Sequence, residues 1–543
     1  MPKRKDGIKT KQGFEVVSSS PASVPSPGPT ASIDSGPNKK QKKGVNSLRN
    51  AHANSSLSAS DKKANELWFR KAGYGPILFK AYYANQSPGV ITAAATASLS
   101  TSTDAPLALP PNLSKGAKKK LKKKLAKQST TNAISESGEF EAFMDALARP
   151  LPIAFRVRQS VPAVDLPRVI NSLSTTPLTT TAPFDPITTA GCGTHRIYTC
   201  DPTVHKKSIA KHGPLNSSPL AVYLATATHS GITARQELVS MLPVIALSCL
   251  PTTTLLDLCA SPGSKTMQAL EVCHAVVAND IHPLRTEALK DAVIRASLPP
   301  AVNSRLILAT HDGSQFPVPL SKSLLFDKVM ADVPCSGDGT IRKDLTIMPR
   351  WNPSVSNKLH PVQVSIGRRG LECVKVGGTV CYSSCTFNPM ENEAVVQELV
   401  RWGRAETGFE DGVEVVPFPE AALPGLVRRP GVRQWKVADY VEKEDDTEQD
   451  VELRWHDSFE AAKAMHMDGP KTLWPRDDNE NMKLHLCNRL VPQDAQDSGG
   501  FFVALLRKNR PFKREAKMQE GRVKGGEHEE VYRMLQKRVD ELE

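Results

Sequence analysis

Two cysteines stand where apolar runs give way to turn residues, Cys335 in ADVPCSGDGT and Cys385 in GGTVCYSSCTFNP. Each follows a segment that reads as a buried strand, yet each sits at the turn, within reach of a ligand. A free thiol has a pKa of about 8.5, so only a small fraction is thiolate at neutral pH unless a cation, a dipole or a base favours the charged form. Lys265 and nearby helix N-termini offer such partners. For a lone cysteine, inert burial is the better expectation. Two at neighbouring ligand-facing strand ends, flanked by carboxylates, are harder to dismiss as inert. Asp332, three residues before Cys335, belongs to this group, although a turn-capping aspartate has the same appearance.

The element that must position a ligand beside these cysteines is LLDLCASPGSKT, Leu255 to Thr266. Its apolar residues predict a strand that stops at a Pro-Gly turn, and TMQALEVCHAV predicts a helix. Glycine lets the backbone approach a ligand closely, and the helix start offers unpaired N–H groups. Cys259, Ala260, Ser261, Pro262, Gly263, Ser264 and Lys265 form this loop. The next strand, HAVVAND, ends in Asp280, 23 residues after Asp257. That is close to the ~20-residue offset at which an acid meets ribose hydroxyls in a nucleotide-binding βαβ unit. A phosphate loop is excluded, because Ser264 separates Gly263 from Lys265 and position 258 is Leu.

After Asp280 helices and strands alternate: TEALKDAVIRASL, SRLILATHDG, DKVMADVPCSGDGT, HPVQVSIGRRGLECV, GGTVCYSSCTFNP, MENEAVVQELVRW, VEVVPF and, at Gly499 to Lys508, GGFFVALLRK. Repeated β-α-β order predicts a mainly parallel α/β sheet with helices on both faces. In such sheets ligands lie beyond the C-terminal strand ends. Asp257 to Lys265, Asp280, Asp312, Asp332 to Cys335 and Cys385 all fall there. Asp312 precedes Gly313 and also suits a simple turn.

The chain has 543 residues, 39% of them hydrophobic, and a net charge of +13. This length allows two or more domains, and the charge suggests a polyanionic partner. No apolar run approaches the ~20 residues needed to cross a bilayer, so a soluble intracellular protein without membrane contact is expected. Ten scattered cysteines show no paired CxxC spacing, so no metal site is expected.

Residues 1–61 lack apolar periodicity and read as a disordered basic tail with clusters at Lys3 to Lys5 and Lys39 to Lys43. Residues 62–85 carry Trp68, Phe69, Tyr74, Phe79, Tyr82 and Tyr83, which favours packing on the folded body over stacking on bases. Residues 86–135 return to low complexity with KGAKKKLKKKLAK at Lys115 to Lys127. Three basic clusters together support a nuclear, or nucleolar, address. Residues 138–230 predict a small α/β accessory domain. In it Phe140, Phe143, Met144 and Leu147 share a helix face, and IAFRVR is a strand with Arg156 and Arg158 on its wet face. Residues 231–510 form the main domain, in which the acidic run Glu442 to Asp450 reads as a solvated loop. Residues 511–543 read as a basic tail with a short helix.

LDLCASPGSKT, ADVPCSGDGT with IRKD after it, and GTVCYSSCTFNPMENEAVV together resemble the S-adenosylmethionine-dependent RNA cytosine-5 methyltransferases of the Sun family. GITARQELVSMLP, FMDALARPLPIAFRV and SGGFFVALL extend the likeness over roughly residues 138 to 510, while TIRK and GVRQWKV are most similar to the eukaryotic multisite tRNA branch. The resemblance implies a class I, Rossmann-like methyltransferase sheet. It implies Cys385 as nucleophile, Cys335 as the thiol assisting release, and Asp332 with Lys265 in the active site. Cofactor contacts would fall to Cys259 through Lys265, Asp280 for the ribose, Asp312 for the adenine side, and Asp332. S-adenosyl-L-methionine is the implied cofactor and RNA, tRNA foremost, the implied partner of a monomeric enzyme. Family members of the tRNA branch usually continue into a further RNA-binding domain, a departure that bears on tRNA affinity and site range. The alternatives are the same reaction on ribosomal RNA, or a catalytically silent RNA-binding assembly factor. Arg342, Lys343, Arg368 and Arg369 are candidate phosphate contacts, with surface solubility the commoner role for any one of them.

Overall fold

A computed structural model describes residues 13–16, 75–87, 89–91, 138–158, 187–189, 193–200, 204–296, 300–318, 325–419, 423, 425–443, 450–494, 496–513, 515 and 537. Before the main sheet come β1 (Gly13–Val16), α1 (Gly75–Ala84), α2 (138–148), β2 (Ala154–Val157), β3 (Ile187–Thr189), β4 (Gly193–Thr199), α3 (Pro219–His229), β5 (Thr233–Arg235) and α4 (Leu242–Leu247). The main sheet and its helices follow as β6 (Thr254–Asp257), α5 (Ser264–Leu270), β7 (Ala275–Asn279), α6 (Pro283–Arg295), β8 (Leu306–Thr310), β9 (Phe326–Asp332), α7 (Pro353–Cys373), β10 (Val374–Ser384), α8 (Glu393–Thr407) and β11 (Val413–Val416). The chain closes with β12 (Arg429–Pro430), β13 (Val437–Lys443), β14 (Asp450–His456), β15 (Asn488–Leu490) and β16 (Phe501–Lys508).

The main sheet runs β1-β8-β7-β6-β9-β10-β16-β15-β12, with β11 also pairing β16. β8, β7, β6, β9 and β10 are mutually parallel, and β16 is antiparallel to β10. Alternation along the strands builds both halves of the core. Leu256, Val277, Ile307, Val329 and Val380 face the layer holding Val364 and Leu371 of α7 and Val395 and Leu399 of α8. Leu255, Val276, Leu306, Met330 and Cys381 face the opposite layer, against Leu242 and Ile245 of α4, Leu270 of α5 and Leu289 of α6. Helix starts follow local rules: Pro353 stands at the first position of α7 with Asn352 capping Val355 N, and α8 ends at Gly408 with φ of 78°.

Gly13–Val16 departs from the expected disorder by adding an antiparallel edge strand to β8. GFEV has the residues of a strand, and an open sheet edge templates such pairing. The lysine clusters lie outside the described residues, as do Trp68, Phe69 and Tyr74 and most of the terminal tail. Within α1, Phe79, Tyr82 and Tyr83 are buried. The acidic run is partly a hairpin rather than a loop: Glu442 and Lys443 pair with Val451 and Asp450 across β13 and β14.

The accessory sheet runs β3-β4-β2-β5, all antiparallel, with Leu220 and Leu224 of α3 packed against Phe155 and Val157. The expected helix face in α2 forms, with Phe140, Phe143 and Leu147 buried. Arg156 and Arg158 are not on a wet face. Both are buried, and Arg156 makes a fork of hydrogen bonds at 2.7 and 2.9 Å to Glu271, just past α5. The carboxylate that makes burial of the guanidinium tolerable lies over a hundred residues away in sequence.

Candidate active site

Five parallel strands end along one edge, and the side chains singled out by sequence converge there. Gly263 precedes α5 with φ of 100°, a conformation glycine takes without strain, and a Cβ there would lie 2.3 Å from Leu289 Cδ1. The loop from Cys259 to Gly263 therefore lies flat on α6. Ala260 N bonds Asn279 O at 2.8 Å, and Ser261 N donates to the nearly buried Asp280 carboxylate at 3.3 Å. The other Asp280 oxygen accepts His282 N at 3.1 Å, and Arg285 lies 3.4 Å from the carboxylate. Asn279 is fully buried and ties three strand ends together. Its amide donates to Leu258 O and His311 O, and its carbonyl accepts His311 N.

Asp312 caps a short 3-10 turn, its Oδ1 accepting Ser314 N at 2.9 Å and Ser314 Oγ at 2.7 Å. One of its oxygens thus has the turn role that the sequence left open. Asp257 is buried and accepts Thr266 Oγ1 at 2.7 Å. Burial pushes its carboxyl up to about 7, opposed by that hydrogen bond. Burial, with the charges of Asp257, Asp332 and Asp280, likewise pushes up the Cys259 thiol.

Lys265 projects from the first turn of α5 to Asp332 at the end of β9, with Nζ 2.7 Å from Oδ2 and 3.0 Å from Ser240 Oγ. Ser383 Oγ holds the other Asp332 oxygen at 2.7 Å. Burial alone would lower the Lys265 ammonium, but the Asp332 carboxylate more than offsets it and the net direction is up. Lys265 stays charged.

The sulfurs of Cys335 and Cys385 are 3.1 Å apart. The hydrogen bond to Cys385 and then burial push the Cys335 thiol well above its ordinary value. Lys265 and Lys343 both act electrostatically on Cys385. Of the four candidate phosphate contacts, Lys343 pairs with Glu237. Arg342 is instead a buried strut, donating to Arg149 O, Pro150 O, Asp497 O and Ser498 O. Arg368 pairs with Glu398, and Arg369 with Glu372.

Several residues that hold the cysteine loops escaped the sequence reading. Gly339 N bonds Cys385 O at 2.9 Å, and a Cβ on Gly339 would lie 2.5 Å from Gly500 O. Only glycine permits that backbone approach. Glu391 accepts Ser336 N at 2.9 Å, Ser336 Oγ at 2.6 Å, Ser356 Oγ at 2.7 Å, Gln363 Nε2 at 2.9 Å and Thr386 Oγ1 at 3.2 Å. Asp338 accepts Phe387 N and Trp351 Nε1 at 2.8 and 2.9 Å. Asn392 brackets Cys385, accepting Ser384 Oγ and donating to Thr386 O. The polar runs SGDG and NPMENE were the available signal.

A doubly wound sheet with β16 inserted antiparallel beside β10, and a glycine loop after its first parallel strand, defines a class I methyltransferase fold. Residues 244–409 match the model of the 16S rRNA methyltransferase RsmB/F family. The chain is similar to the multisite-specific tRNA:(cytosine-C(5))-methyltransferase trm4b of Schizosaccharomyces pombe, 33% identical over 431 residues that cover 69% of this chain and 57% of the relative. It is 38% identical over 323 residues to the tRNA (cytosine(34)-C(5))-methyltransferase of Drosophila melanogaster, covering 56% and 40%. To the multisite-specific tRNA:(cytosine-C(5))-methyltransferase of Saccharomyces cerevisiae it is 32% identical over 409 residues, covering 70% and 54%. The chain spans about half the length of the curated relatives it matches. Among the described residues no helix is long and apolar enough to cross a membrane, and no cluster of His, Cys, Asp and Glu could hold a metal ion.

Proposed function

We propose that this chain transfers a methyl group from S-adenosylmethionine to carbon 5 of cytosine in RNA, with tRNA the substrate class. The observation that carries the reading is the pair of sulfurs 3.1 Å apart at adjacent strand ends. The names of the three relatives support tRNA, and the net charge of +13 suits a polyanion.

The residues present fit the cofactor. Asp280 is a buried carboxylate just past the end of β7, beside the loop that turns through the left-handed Gly263 into α5. The loop from Cys259 to Lys265 with Asp280 would hold the nucleoside and amino-acid parts, and Asp312 borders the same edge. When bound, S-adenosylmethionine supplies an electrophilic methyl on a sulfonium.

Carbon 5 of cytosine is a poor nucleophile. Addition of the Cys385 thiolate to carbon 6 would form a carbon–sulfur bond and turn the ring into an enamine with a nucleophilic carbon 5, the atom that would take the methyl. A charged sulfur at residue 385 would interact favourably with the Lys265 and Lys343 ammonium groups. Asp332, fixed by Lys265 and Ser383, is positioned to hydrogen-bond the cytosine edge. Loss of the carbon 5 proton to a base then breaks the carbon–sulfur bond and returns the Cys385 thiolate. Cys335, the neighbouring thiol, assists that release. The target base must leave its stack, which favours loops and single strands over duplex.

Labelled methyl transfer to bulk tRNA and ribosomal RNA tests the reading. The wild type should label tRNA, Cys385→Ala should label nothing, and Cys335→Ala should leave a protein–RNA adduct that survives denaturing gels. Label in ribosomal RNA alone would move the substrate, and no label in either RNA would leave an assembly factor. The lysine clusters support nuclear residence as part of the same reading, checked by imaging a tagged chain with each cluster replaced by glutamine.

A further inference from the structure

The catalytic loops are tied to a helix far outside the stretch that matches the family. Asp338 lies three residues beyond Cys335 and Phe387 two residues beyond Cys385, and the Asp338 carboxylate bridges the two loops by accepting Phe387 N at 2.8 Å. Its second oxygen accepts Trp351 Nε1 at 2.9 Å and the Tyr83 hydroxyl of α1 at 2.5 Å. The preceding residue repeats the arrangement on the nucleophile side. Tyr82 OH donates at 3.1 Å to Asn388 Oδ1, which also accepts Met390 N at 3.1 Å and so shapes the turn after Cys385.

Helix α1 is fixed where it can make these contacts. Phe79 and Tyr83 pack on Trp351 with ring centroids 5.3 and 5.6 Å apart, Tyr83 meets Phe387 at 6.0 Å, and Phe143 of α2 meets Phe387 at 5.1 Å. At its start a Cβ on Gly75 would lie 2.0 Å from Met348 O. The aromatic cluster alone would give the helix a place. The two phenol hydroxyls give it a hold on the cysteine loops, because a buried carboxylate that loses a donor is costly and its loop shifts to find another.

We propose that Tyr83 and Tyr82 are positioning residues, through which the N-terminal helix sets the separation of the Cys335 and Cys385 sulfurs. The role rests on the cytosine methylation reading for its consequence, and on geometry alone for its existence.

Two measurements on the full chain separate these. The first needs no RNA. Diamide takes two electrons and two protons from the Cys335 and Cys385 thiols, forming one disulfide while it is reduced to the hydrazine, and peptide mass identifies the linked pair. Tyr83→Phe keeps the ring and removes only the hydroxyl, and it should slow formation of this disulfide by about tenfold, the weight of one hydrogen bond to a buried carboxylate. Tyr82→Phe, with a neutral acceptor, should slow it by about threefold. The second is methyl transfer, in which kcat should fall with the disulfide rate while KM for RNA holds, and the denaturant-stable adduct should build up in Tyr83→Phe. Disulfide rates in both variants within about twofold of wild type overturn the proposal. A loss of activity that only tracks the unfolded fraction, with no extra adduct, does so as well. A slowed disulfide in a chain whose wild type methylates no RNA keeps the positioning role and rejects the methylation reading.

Discussion

Asp257→Asn is a test of how the strand end beneath the cofactor loop is built. Asp257 is 1% exposed, and its Oδ2 accepts the Thr266 hydroxyl at 2.7 Å. Burial raises its carboxyl from 3.8 to about 7, the Thr266 hydrogen bond opposes the rise, and the Asp332 charge adds to it. The folded value lies above the unfolded one, so the native chain binds this proton more tightly. The stability the protonated group contributes is fully present below pH 3.8 and is lost as pH rises from there to about 7. At 1.36 kcal/mol per tenfold change in proton affinity, the whole window is worth at most about 4 kcal/mol. Asparagine keeps the shape and an acceptor for Thr266 but cannot ionise. The variant should gain on the wild type steadily between about pH 4 and pH 7, and the difference should level off above. At roughly 2–4 °C per kcal/mol, the two melting temperatures should diverge by about 10 °C across that range. The assay is a paired series of thermal melts at constant ionic strength. Melting temperatures that run parallel from pH 4.5 to 8 would show that Asp257 is ionised throughout and that burial does not dominate it.

Three further outcomes follow from named contacts. Glu391→Ala removes the acceptor of five hydrogen bonds and leaves Ser336 N without it, so urea unfolding should show a loss of about 3 kcal/mol and methyl transfer should slow with it; an unchanged midpoint and rate would count against the loop-holding role. Arg489→Met strands the Glu393 carboxylate, which Arg489 meets at 2.6 and 2.5 Å with neither side chain more than 2% exposed. That should cost about 3–5 kcal/mol by circular-dichroism melts, with most of it recovered in the double variant Arg489→Met, Glu393→Leu, and a single variant as stable as wild type would contradict it. Lys265→Met should lower single-turnover methyl transfer by about 100-fold while thermal stability barely changes, and a wild-type rate would remove Lys265 and its partner Asp332 from the active site.

The alternation of apolar residues made the sheet legible. Leu255 and Leu256 point to opposite helix layers, as do Val276 and Val277, and a period of two can be read without coordinates. Strand ends were legible for the same reason, which is why Asp280, Asp312, Asp332, Cys335 and Cys385 fall on one edge. What could not be read is pairing across long separations. Arg156 on a four-residue strand has the pattern of a solvated side chain until Glu271 is brought against it. Tyr83 and Asp338 are 255 residues apart, Arg489 and Glu393 are 96 apart, and no local periodicity announces either contact. Asp312 shows the converse limit, since its turn role and its place on the site edge are both local facts and both hold.

Two thiols at bonding distance do not by themselves say which one attacks. The surroundings are unequal, and they support the proposed role of Cys385. The contact with Cys385, and then desolvation, push the Cys335 thiol well above its ordinary value. Cys385 has a carbonyl pinned by Gly339 N, a following turn set by Asn388 and Asn392, and two lysine ammonium groups acting on it. A thiolate needs cations near it and a fixed backbone behind it, and the partner that later assists its departure needs a proton and a short path. Exchanging the roles would put the charge on the sulfur whose surroundings oppose it. Under the proposed function the carboxylates Asp338 and Glu391 matter because they hold the two loops, and so fix where the two sulfurs lie relative to each other.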